Sequence, residues 1–65
     1  MSAQRRLLDM LIGWEDYATA QGYYDEGKTI AKLYQEAGRI MDPNAIVIEE
    51  FVREKVLPLL LRGEQ

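Results

Sequence analysis

Sixty-five residues with neither cysteine nor histidine make one small unit that no disulfide and none of the usual zinc ligand sets can hold together. A formal charge of −3 gives the chain no electrostatic reason to approach phosphate backbones or anionic lipid, and 48% hydrophobic with 29% evenly spread charged residues argues against disorder. A chain this short buries a small share of its own surface, so well-formed helices or association with a further surface must supply its stability.

No stretch reaches the roughly 18 consecutive apolar residues that crossing a bilayer requires. Arg5-Arg6 followed by Leu7-Leu8 starts like a secretion signal, but Asp9 interrupts the run and Glu15-Asp16 follow, with no small-residue cleavage pattern. The expectation is a cytoplasmic protein.

Three segments repeat at the helical period of 3.6, separated by two turn signals. The first spans residues 2–21, with Ser2 as its N-cap and Gly22 as a left-handed stop. Leu7, Met10, Leu11, Trp14, Tyr17 and Ala18 share a stripe that predicts the core face. Leu8 and Ile12 fall outside it as a separate pair four residues apart.

The second helix spans residues 25–40 and is capped by Asp25, with Ile30, Leu33, Tyr34, Ala37, Ile40 and Met41 inward. Lys28, Lys32, Gln35, Glu36 and Arg39 fill its other faces. Gly38 either ends this helix or lets a neighbouring backbone come close within it.

Asp42-Pro43 opens a third helix over residues 43–62, with Asp42 as cap and Pro43 in the first position. Ala45, Ile48, Phe51, Val52, Val56 and Leu59 face inward, and Glu49 pairs with Arg53 outside. Pro58 lacks an N–H and its ring opposes the carbonyl of Glu54, which predicts a kink or an end at Leu57. The fold expected is all-α: an αα-hairpin plus a third helix kinked or ended near Pro58, a small bundle that self-associates.

Gly22-Tyr23-Tyr24-Asp25-Glu26-Gly27-Lys28-Thr29 satisfies the spacing of the phosphate-binding P-loop, G-x-x-x-x-G-K-[ST]. A P-loop follows a buried strand, whereas Trp14 to Gln21 is helical in period, and Asp25 and Glu26 would set carboxylates beside a polyanion. The segment therefore reads as a turn between helices, and nucleotide binding is not expected.

Leu11, Trp14, Ala18, Gly22, Tyr24 and Gly27, with Asp42-Pro43 as a closing turn, also resemble the helical hairpin of tetratricopeptide repeats. That resemblance implies peptide binding in a groove. Glu15 stands where the family has a small residue and Gly27 where it has alanine, and one unit lacks the stacked neighbours such repeats use. The likeness is read as convergence on an αα-hairpin.

No catalytic residue, metal ligand set or cofactor site is expected. The hydroxyls Ser2, Thr19 and Thr29 have no base beside them, and the acidic neighbours Glu15-Asp16, Asp25-Glu26 and Glu49-Glu50 diverge on a helix. Three short helices are also the scaffold of helix-turn-helix DNA readers, the alternative reading. Against it, the third helix offers Glu49, Glu50 and Glu54 to the phosphates, with Arg53 and Lys55 in opposition.

A surplus of apolar side chains remains: Leu8 and Ile12 on the first helix, and Ile46, Leu57, Leu60 and Leu61 on the third. A three-helix core has no place for all of them, and such a surplus marks an interface. The function expected is a non-catalytic interaction module, an adaptor, regulator or inhibitor that acts by surface contact. Its partner is a second copy or a larger protein.

Overall fold

The structure, a computed structural model, describes residues 2–63. Helix α1 runs Ala3–Ala20, and α2 runs Tyr24–Gly38. A third helical rod follows as α3 (Ala45–Phe51), a π-helical turn (Val52–Val56) and α4 (Leu57–Gly63) without interruption. The architecture is an all-α three-helix bundle.

Helix α1 begins where the Ser2 side chain accepts a hydrogen bond from the Arg5 N–H at 3.1 Å. It ends in a Schellman arrangement: Gly22 adopts φ +85°, its N–H bonds the Thr19 carbonyl, and the Tyr23 N–H bonds the Ala18 carbonyl. This tight reversal restarts the helix at Tyr24, before Asp25 is reached. Asp25 therefore does not cap α2; it lies in the first turn with Glu26, where carboxylates complement the helix dipole.

The α1–α2 hairpin is antiparallel and closely packed. The Gln4 side-chain amide donates to the Ala37 carbonyl at 2.9 Å near one end. Near the other, Gly27 is buried so closely against α1 that a Cβ there would stand 3.2 Å from Thr19 Oγ1. Gly38 ends α2, with open space around it, so the close-approach role belongs to Gly27 and not to Gly38.

The cap of the third rod also differs from expectation. Asn44, extended at φ −75° and ψ 168°, accepts from the Val47 N–H at 3.0 Å. Asp42 precedes a proline, which restricts its backbone, and it only accepts the Asn44 N–H through its carbonyl. Pro43 thus lies outside the helix rather than in its first position.

Pro58 neither ends the rod nor breaks it. The preceding turn widens instead, and the Leu57 N–H reaches back five residues to the Val52 carbonyl. In a uniform α-helix Lys55, seven residues after Ile48, would share its inward face. The extra residue in the wide turn lets Val56 take that place, fully buried, and turns Lys55 out to solvent.

The core consists of Leu7, Leu11, Ala18, Ile30, Leu33, Ala37, Ile48 and Val56. Trp14, Ile40, Phe51, Val52 and Leu59 pack around it. Met10, Tyr17, Tyr34, Met41 and Ala45, expected inward, are exposed. They fall on the edges or ends of their stripes, beyond what two neighbouring helices can cover. The third rod packs against the hairpin less closely than α1 and α2 pack on each other. The molecule is accordingly elongated, 34 × 19 × 17 Å, with a radius of gyration of 11.7 Å against about 10.7 Å for a compact chain of this length.

Candidate protein-contact face

Each helix of the hairpin partner pair has a flank that its neighbour fixes. On α1, Gln4 and Thr19 touch α2, so the stripe through Gln4, Leu8, Glu15 and Thr19 is the α2 side. Leu7, Leu11, Trp14 and Ala18 point into the core or pack on it. Met10, Gly13 and Tyr17, spaced three and four apart, occupy the flank turned away from α2.

The third rod divides in the same way around Val56. Leu59, three residues on, reaches one side, where with Arg62 it lines an open cleft of about 350 Å³ shared with Trp14, Asp25, Glu26, Thr29 and Ile30. Leu60, four residues on, falls to the other side of Val56, with Leu57 and Leu61 beyond it. The rod starts beside the α2 terminus and brings Leu59 to Trp14, so it runs roughly parallel to α1. The flank of α1 that carries Met10, Gly13 and Tyr17 and the flank of the rod that carries Leu57, Leu60 and Leu61 both lie away from the cleft.

Both flanks expose apolar side chains. Leu57, Leu60 and Leu61 are 44%, 40% and 65% exposed, and Met10 and Tyr17 are 46% and 61% exposed. No charged residue interrupts Leu57 to Leu61. Gly13, between Met10 and Tyr17, is exposed and has no atom within 4 Å of where a Cβ would stand. A glycine inside a helix costs about 1 kcal/mol against alanine, and nothing in the fold of one chain explains its presence here.

The residues expected at an interface do not all come together. Leu57, Leu60 and Leu61 form one stripe. Leu8 is half-buried and packs on the core, because α2 covers the α1 flank that holds it. Ile12 is exposed on that α2 side, and Ile46 is exposed near the opposite end of the rod on its outer face. Met10, Gly13 and Tyr17 escaped the sequence reading, which placed Met10 and Tyr17 in the core stripe. The available signal was the glycine at the centre of an otherwise regular helix.

Polar chemistry is sparse by comparison. Among the described residues no polar or charged side chain is buried, and no three carboxylates approach one another. The ion pairs Arg5–Asp9 (3.6 Å) and Glu49–Arg53 (3.9 Å) lie at the surface, where such pairs contribute little. The P-loop pattern forms no phosphate-cradling loop: it is helical from Tyr24 onward, and the Thr29 hydroxyl donates to the Asp25 carbonyl. On the third rod, Glu49, Glu50, Arg53, Glu54 and Lys55 are all exposed, acidic and basic groups side by side. Among the described residues no helix is long and apolar enough to cross a membrane.

No protein-family model, curated protein or solved structure matches this chain.

Proposed function

We propose that this chain is a non-catalytic protein–protein interaction module, an adaptor, regulator or inhibitor that works by covering part of a partner's surface. The observation that carries this reading is the apolar stripe of Leu57, Leu60 and Leu61 on α4, with Met10 and Tyr17 on α1 also substantially exposed, in a chain of 65 residues. Exposed apolar side chains scattered singly are ordinary on any protein. Grouped on one face, they favour association, because covering them removes apolar area from water at about 25 cal/mol per Å². Tyrosine and methionine suit such a face, the first with a rigid amphipathic ring and the second with an adaptable side chain.

The test is capture on the immobilised chain. A protein, whether a further copy of the chain or another, is retained by the unaltered sequence and lost with Leu60→Asp, while the variant keeps its helical circular dichroism. Equal retention by both sinks the assignment to this face. Retention of duplex DNA that falls steeply with salt favours a nucleic-acid reader instead.

A further inference from the structure

We draw no further inference here: the strongest candidate, the open cleft between α1, α2 and α4 where Asp25, Glu26 and Arg62 stand around Trp14, rests on an acidic pair in the first turn of α2 with nothing else in the structure that points to a ligand.

Discussion

Single residues set the two reversals of this chain, and each makes a measurable demand. Gly22 holds φ +85°, a region where a Cβ meets the following carbonyl. Gly22→Ala should therefore lower stability by about 1–2 kcal/mol in urea unfolding, with unchanged helical content below the transition. At the start of the third rod the side chain that caps is Asn44 and not Asp42. Asn44→Ala is expected to cost about 1 kcal/mol, and Asp42→Ala to stay within about 0.5 kcal/mol. The reverse order would return the cap to Asp42. Ser2 and Gly22 were legible in the sequence because each is the only good candidate at its boundary. Asp25 and Asp42 misled because capping preference names a residue type, whereas the preceding turn fixes which position starts the helix.

At the scale of elements, the third rod shows how periodicity and backbone can disagree and both be satisfied. The inward stripe Ile48, Val52, Val56 drifts around a uniform α-helix and would leave Lys55 on the core side. The wide turn at Val52–Val56 absorbs one residue, and it does so just before Pro58, where a normal turn would set the proline ring against the Glu54 carbonyl. The wide turn is thus an inserted residue in effect. Deletion of Lys55 combined with Pro58→Ala should leave a cooperatively melting helical protein, because the shortened rod becomes regular with Val56 still inward. Deletion of Glu50 rotates everything beyond it by about 100° and should abolish cooperative melting. Equal tolerance of the two deletions, read by thermal circular dichroism, would remove the register argument.

The three-helix class and most of the core were legible from the 3.6-residue period, since Leu7, Leu11, Ala18, Ile30, Leu33, Ala37, Ile48 and Val56 all lie on the expected stripes. What the period could not supply was the width of each stripe that neighbours cover. Met10 and Tyr17 sit on the rim of the α1 stripe, and only the placement of α2 and the rod decides that this rim stays open. The same limit explains Leu8, drawn toward the core by α2, and the separation of Ile12 and Ile46 from the leucines of α4. The leucine part of the proposed contact face, Leu57, Leu60 and Leu61, was therefore visible in sequence, and the exposure of Met10 and Tyr17 was not.

For the whole molecule, the question is how a chain with eight buried hydrophobic side chains among its described residues reaches useful stability. Sums of burial and conformational entropy for chains this short come out near zero, so a closely packed hairpin with a more loosely held third rod is marginal alone. A partner that binds the folded form and not the unfolded one adds stability by mass action. Covering the exposed leucines of α4 would do this on the rod, the more loosely packed element.

The most direct measurement is the melting temperature of the unaltered chain across a concentration series from roughly 10 μM to 1 mM. A midpoint that climbs with concentration, and that stops climbing in Leu60→Asp, is the result expected when the exposed leucines of α4 are covered by a further copy in the folded state. A midpoint that holds constant over the series, in a chain that melts cooperatively, would contradict it.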